Sequence, residues 1–188
     1  HELRTPLTLI ADPVDYIIRD SNLNAQQRDM LQIVQRNVSV LMRLVSEILD
    51  FRKVQNGKMK LHLSDFDLIE CMQQWIGLFT VSAQKKNINL QLEAPKTIPM
   101  RADHDKLERI CYNLLTNAMK YTPNGGKITF AATVEGDKVK IEVSDNGIGI
   151  AADEQAYIFN RFYQAKNAAQ GTGIGLALVK AFTDLHHG

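Results

Sequence analysis

Leu3, Leu7, Ile10, Val14 and Ile17 fall at spacings of 4-3-4-3, and Leu31, Val34, Val38, Leu41, Val45 and Ile48 at 3-4-3-4-3. Each run is an apolar stripe with heptad spacing and predicts an amphipathic helix. Ser21-Asn22-Leu23-Asn24, between them, is polar and turn-prone. Residues 1–56 are therefore expected to form an antiparallel helical hairpin. Two helices alone leave an apolar seam open, to be covered by the rest of the same chain or by a second copy. The regularity of both stripes favours the second copy, and so a dimeric four-helix bundle.

After Gln55-Asn56-Gly57 the pattern changes. Residues 60–64 alternate like a short strand. Residues 67 to about 85 have helical periodicity, and Ile88, Leu90 and Leu92 alternate as a strand. Pro95 and Pro99 bracket a loop. Residues 103–121 read as a helix with Leu107, Ile110, Leu114 and Ala118 on one face. Residues 127–134 and 138–144 read as two strands joined in a hairpin at Glu135-Gly136-Asp137. Helical spacing returns at 177–182. This mixture predicts an α+β two-layer sandwich over residues 57–188.

The 188 residues carry 22 Lys plus Arg against 21 Asp plus Glu, a net charge of +1. That balance argues against a non-specific nucleic-acid binder, which needs an excess of positive charge. No apolar run approaches ~18 residues, so no membrane contact is expected of this segment. Only Cys71 and Cys111 are present, without CxxC spacing. Neither a disulfide framework nor a zinc site is expected, and a reducing compartment is the default. Cys71, Cys111, His104, His186 and His187 read as structural or surface residues. The chain opens on His1 inside a helical pattern, with no initiator Met, and is expected to be a piece of a longer protein.

Four groups of residues carry candidate chemistry. In His1-Glu2-Leu3-Arg4-Thr5-Pro6 the heptad frame turns His1 and Thr5 outward, one turn apart. An outward imidazole beside a carboxylate can act as a nucleophile, with Glu2 taking its proton. Pro6 and Pro13 remove helical donors and bend the helix. A surface His beside a Glu is, by itself, more often a solvated pair. Asn113, Asn117 and Lys120 follow at i, i+4 and i+7 on the face opposite the apolar one. Two amide oxygens and an ammonium there suit a hydrated Mg²⁺ plus phosphates, although a plain polar face has the same composition.

Asp145-Asn146-Gly147-Ile148-Gly149 directly follows a strand. Its Asp can accept from a base's exocyclic amine, and its glycines let backbone approach the ring; an ordinary strand-ending turn fits too. Gly171-Thr172-Gly173-Ile174-Gly175-Leu176 opens a helix and forms a candidate phosphate cradle. It matches neither the Walker A loop nor the Rossmann fingerprint. Between these two loops, residues 158–163 read as a short helix with Phe159 and Phe162 as anchors. With residues 165–170 this stretch reads as a mobile lid hinged on the glycines, from which Arg161 and Lys166 reach phosphates, although a plain surface loop fits Lys166 equally well. Eight of the 11 glycines fall between Gly125 and Gly175, a clustering that points to close backbone approach to a ligand.

The order and spacing of these groups resemble those of sensor histidine kinases of two-component systems, hybrid sensors included. Residues 1–6 look like the H box, 113–122 the N box, 145–149 the G1 box, 159–162 the F box and 171–175 the G2 box. The resemblance spans nearly the whole chain. It implies a dimerisation and phosphotransfer hairpin at 1–56, and at 57–188 an ATP-binding domain of the Bergerat (GHKL) fold shared with gyrase and MutL. Both ends look truncated relative to the family: helical turns before His1 and strands after Gly188 are missing.

The resemblance also implies roles. His1 is the phosphoacceptor, Glu2 its general base, and Thr5 orients a water in a phosphatase reaction on the regulator. ATP and Mg²⁺ are bound, Mg²⁺ by Asn117 with Asn113 assisting. Lys120 contacts phosphate, Tyr121 lies against the nucleotide and Asp145 reads the adenine amine. Gly147, Gly149, Arg161, Gly171, Thr172, Gly173, Gly175 and Leu176 complete the ATP site. The phosphoryl group passes to an Asp in a response-regulator receiver domain. A hinge is expected near residues 55–60. The segment would be the cytoplasmic portion of a protein anchored in the bacterial inner membrane. Two other classes remain open: a water-using ATPase of the same fold, which would not need His1-Glu2 or the hairpin, and a dimeric scaffold with a dead site.

Overall fold

The computed structural model describes residues 4–19, 23–165 and 172–188, those at 4–6 and 51 by backbone alone. The chain divides into two compact units, residues 1–59 and 60–188.

In the first unit α1 (Arg4–Ile18) packs on α2 (Ala25–Gln55). Asn24 starts α2 with a capping box: its Oδ1 accepts from Gln27 N at 2.8 Å and Gln27 Oε1 accepts from Asn24 N at 3.0 Å. Arg28 donates to the Ile18 carbonyl at 3.0 Å, satisfying an acceptor at the end of α1. Val14 and Val38, one from each stripe, are buried. Gln35 donates to Asp15 across the pair at 2.7 Å. Ile10, Ile17, Val34, Leu41 and Ile48, from the same two stripes, stay exposed. Two helices cannot cover both sides of a heptad seam. The expected turn residues Ser21 and Asn22 lie outside the described residues.

The second unit begins with β1 (Ser64–Asp67), followed by α3 (Leu68–Gly77), α4 (Thr80–Lys85), β2 (Asn89–Glu93) and β3 (Pro99–Ala102). Then come α5 (His104–Tyr121), β4 (Lys127–Glu135), β5 (Lys138–Asp145), a 3-10 turn (Gln155–Tyr157) and α6 (Gly175–Leu185). β1 and β3 pair antiparallel as a separate ribbon, from Ser64↔Ala102 to Asp67↔Pro99. The main sheet has the order β2-β4-β5. Its first pair is parallel, its second antiparallel. Ile128, Phe130 and Ala132 alternate inward from β4 against the helices. One face of sheet thus meets one layer of helix, as expected.

Several boundaries differ from the sequence reading. The alternation at 60–64 is not a strand; pairing starts at Ser64, where β3 supplies partners. Pro95 and Pro99 bracket a loop as expected, but Pro99 also opens an unexpected strand, β3, at a position where the ribbon does not need its missing N–H. The helical pattern at 67–85 is interrupted at Leu78-Phe79, just after Gly77, by two tight turns. The buried stripe of α5 is Leu107, Ile110, Cys111, Leu115, Ala118 and Met119, with Leu114 only half-buried at its edge. Burial, with help from Cys71 and Glu108, pushes the Cys111 thiol up to about 12. Burial also raises Cys71. Both remain protonated and act as small apolar side chains.

Asp103 caps α5. Its carboxylate is buried and accepts from Lys106 N at 3.1 Å and His62 N at 2.8 Å. Burial acts to raise its pKa, but those two bonds and the charge of Lys106 outweigh it, and the pKa is lowered. A lowered folded pKa gives stability that is complete above the unfolded value, ~3.9, and is lost as pH falls through the folded one. Asp103→Asn should therefore flatten the acid limb of the stability–pH profile below about pH 4. Denaturant unfolding of both proteins from pH 7 to pH 2.5 checks this.

Candidate nucleotide site

α5 fixes the site because its apolar stripe is buried in the helix–sheet core. The opposite face carries Asn113, Asn117 and Lys120, all half-buried. α6 starts beside that face: a Cβ on Gly175 would lie 3.0 Å from Asn113 Oδ1. Ile174 occupies the N-cap of α6 and gives no side-chain cap. Ile174 N donates instead to Thr172 Oγ1 at 3.2 Å. Gly173 has φ +67° and its Cα sits against Phe162 and Tyr163 backbone, where a Cβ would come within 2.6 Å. Its carbonyl accepts from Phe162 N at 2.8 Å. Backbone N–H groups at the start of α6, with the positive end of its dipole, suit an anion.

The turn after β5 closes the other end. Asp145 is exposed, and its Oδ1 accepts from Gly147 N at 2.9 Å. Asn146 ties this turn to the start of β4: its Oδ1 accepts from Lys127 N at 2.7 Å and its N donates to Lys127 O at 3.2 Å. Ile148 N donates to the Tyr121 carbonyl at 3.3 Å. That carbonyl would lie 2.6 Å from a Cβ on Gly147. Tyr121 thus binds the end of α5 to the turn, and Lys120 Nζ stands 4.9 Å from the Tyr121 ring centroid. Gly149 has φ +68° with open space around it.

The structure therefore brings Asn113, Tyr121, Asp145, Gly147, Gly173 and Gly175 into one frame, with Asn117 and Lys120 on the same face of α5 as Asn113 and Leu176 in the first turn of α6. Arg161 is exposed beside Phe162. The helical turn expected at 158–163 falls earlier, at Gln155–Tyr157, and Phe159 and Phe162 are exposed instead of anchored. Phe162 takes φ +59°. His1, Glu2, Lys166 and Gly171 lie outside the described residues, as does the Thr5 side chain. Sequence reasoning missed the joining roles of Asn146 and Asp103, whose signals are an Asn after a strand and an Asp before a helical stripe.

Two family models match the chain. One, the His Kinase A (phospho-acceptor) domain, matches residues 1–57; the other, the histidine kinase-, DNA gyrase B- and HSP90-like ATPase, matches residues 102–188. Among curated relatives, sensor histidine kinase TmoS of Ectopseudomonas mendocina is 38% identical over 194 residues, covering all of this chain and 20% of its own length. Histidine kinase P4 of Formosa agariphila is 33% identical, with all of this chain and 14% of its length covered. Among solved structures, full-length ShkA in complex with AMPPNP has a TM-score of 0.84 at 29% identity, covering 98% of this chain and 39% of that one. Histidine kinase AdeS of Acinetobacter baumannii has 0.70 at 25%, covering 98% and 86%. The chain spans a third or less of the length of the curated relatives named here.

Gly147 is a direct check on the frame. Gly147→Ala forces its Cβ into the Tyr121 carbonyl and should weaken binding of a Mg²⁺–ATP analogue about tenfold or more, read by calorimetric titration. Gly136→Ala, at a φ of +65° in the β4–β5 hairpin with open space, should cost stability without that loss. By its two matched domains and by relatives that align along its whole length, the chain belongs to the sensor histidine kinase family.

Proposed function

We propose that this chain is the phosphotransfer and ATP-binding portion of a protein-histidine kinase, autophosphorylated on His1 at the expense of ATP. The observation that carries the reading is the convergence of the Asn113 side chain with Gly175, at the uncapped start of α6. A helix start with no side-chain cap, facing amides on a polar helix face, matches the negative oxygens of a triphosphate.

The donor set fits Mg²⁺. Asn113 and Asn117 present neutral amide oxygens one turn apart, as suits a hard cation that keeps most of its waters and its phosphate ligands. Bound there, the ion neutralises charge on the phosphate oxygens. The chain's own residues do the rest. Asn117, assisted by Asn113, holds the ion's position. Lys120 offsets phosphate charge, and Tyr121 lies against the nucleotide. Asp145 accepts from the adenine amine, while Gly147 and Gly149 keep the turn close to the ring. Thr172, Gly173, Gly175 and Leu176 cradle phosphate through backbone N–H groups, with Gly171 and Arg161 beside them.

A nitrogen of His1 attacks the γ-phosphorus in line. The N–P bond forms as the bond to the bridging oxygen breaks, and ADP leaves with the electron pair. Glu2 takes the imidazole proton. Catalysis is then positioning and charge neutralisation, as in other phosphoryl transfers. The phosphoryl group moves on to an Asp of a receiver domain, and in the separate phosphatase role Thr5 orients a water that attacks that phosphorus, releasing inorganic phosphate and the free Asp carboxylate. The exposed apolar positions of the α1–α2 hairpin support a dimeric four-helix bundle. No described helix is long and apolar enough to cross a membrane. In this reading the segment works on the cytoplasmic side of a longer sensor anchored in the bacterial inner membrane.

Incubation with γ-labelled ATP and Mg²⁺ tests the reading. An acid-labile, alkali-stable label is expected on the chain, absent in His1→Gln and reduced at least ~100-fold in Asn117→Ala. A label that survives His1→Gln would overturn the assignment of the acceptor. Nucleotide hydrolysis without any label would favour the water-using ATPase.

A further inference from the structure

We propose that His186 is a positioning residue for the nucleotide site, locking the register in which α6 lies along α5. The proposal rests on the nucleotide-binding reading above.

α6 runs antiparallel to α5, and three contacts mark one register. At the start of α6, Gly175 faces Asn113, with 3.0 Å from a would-be Cβ to Oδ1. Further along, the Phe182 ring lies 5.4 Å from the Arg109 guanidinium carbon and 5.8 Å from Lys106 Nζ. At its end, His186 Nε2 stands 3.2 Å from the Asp103 backbone N. Phe182 and Leu178 are fully buried, so packing holds α6 on the core, and the two cations lie over the Phe182 ring. The last contact is directional at both ring nitrogens. His186 Nδ1 is 2.7 Å from the Phe182 carbonyl. One neutral tautomer satisfies both: Nδ1–H donates to Phe182 O, and Nε2 accepts the Asp103 N–H.

Asp103 is itself immobilised, since its carboxylate caps α5 through Lys106 N and holds His62 N. The end of α6, the start of α5 and the segment leading into β1 therefore meet at one buried residue. Each residue of a helix advances ~1.5 Å. A slip of even one residue would carry Gly175 off Asn113 and misplace the N–H groups that face phosphate. His186 touches no nucleotide; it acts through the spacing of Gly175 and Asn113.

The test compares His186→Leu, His186→Gln and His186→Asn. Gln can carry an acceptor as far as the Asp103 N–H; Leu has none and Asn falls short. His186→Leu should raise KM for ATP in autophosphorylation about tenfold with kcat within about twofold, and His186→Gln should restore KM to within about threefold. In the nucleotide-free protein, amide exchange at residues 178–182, whose N–H groups are bonded within α6, should quicken in the Leu and Asn variants only. Met100→Ala in β3 serves as a destabilised control and should leave KM unchanged. Equal KM in the Leu variant and the wild type would overturn the proposal, as would an equal rise in the control. If His186→Leu does not fold, the Gln and Asn variants decide, and equal binding by those two overturns it. Failure of the wild type to bind ATP would contradict the nucleotide reading instead. In that case the exchange measurement, which needs no ligand, still decides the register lock.

Discussion

α5 cannot turn about its own axis. Leu107, Ile110, Cys111, Leu115, Ala118 and Met119 are all buried against the rest of the second unit, and rotation would bring several of them to solvent. Each large apolar side chain contributes roughly 1.5–3 kcal/mol on burial, so the orientation is held by far more than thermal energy. The polar face carrying Asn113, Asn117 and Lys120 is therefore fixed by packing elsewhere. The geometry of the site is a consequence of the core, and it needs no bonds among the polar residues to hold it.

Around that fixed helix the chain is brought close by glycine. At Gly147 and Gly173 a side chain would run into neighbouring backbone, the Tyr121 carbonyl in one case and Phe162 in the other. These close approaches bind the ends of two loops to the frame. The absence of a side-chain cap on α6 has the same logic. A Ser or Asp at position 174 would stabilise the helix by ~1 kcal/mol and would occupy the groups that an anion needs.

Much of this was legible in the sequence. The α5 boundaries follow from the periodic apolar stripe, a local signal. The G1 and G2 loops are legible because Asp-Asn-Gly-Ile-Gly and Gly-Thr-Gly-Ile-Gly, each ambiguous alone, occur in one order after a strand and before a helix. What was not legible depends on partners distant in sequence. β3 exists because Pro99–Ala102 finds β1, and nothing in Pro-Met-Arg-Ala announces it. The alternation of Leu61 and Leu63 suggested a strand, but no partner strand reaches that far. Residues 67–85 keep one helical period through Leu78-Phe79, so the break between α3 and α4 leaves no trace in spacing. His186 reads as a plain helix-end residue until Asp103 is placed beside it.

The hairpin and the nucleotide unit embody two kinds of constraint. The hairpin keeps a regular apolar seam in which, among the described residues, only Val14 and Val38 of its two stripes are buried, so its stability depends on what covers the rest. The nucleotide unit closes its own core and sets Gly175, at the start of α6, beside the Asn113 side chain of α5. Hydrogen exchange of the whole chain with and without Mg²⁺ and a non-hydrolysable ATP analogue tests this account most directly. Slowed exchange confined to the second half of α5, residues 145–149 and the first turn of α6 is the predicted result. Saturable binding with protection elsewhere, such as along the β1–β3 ribbon, would contradict it.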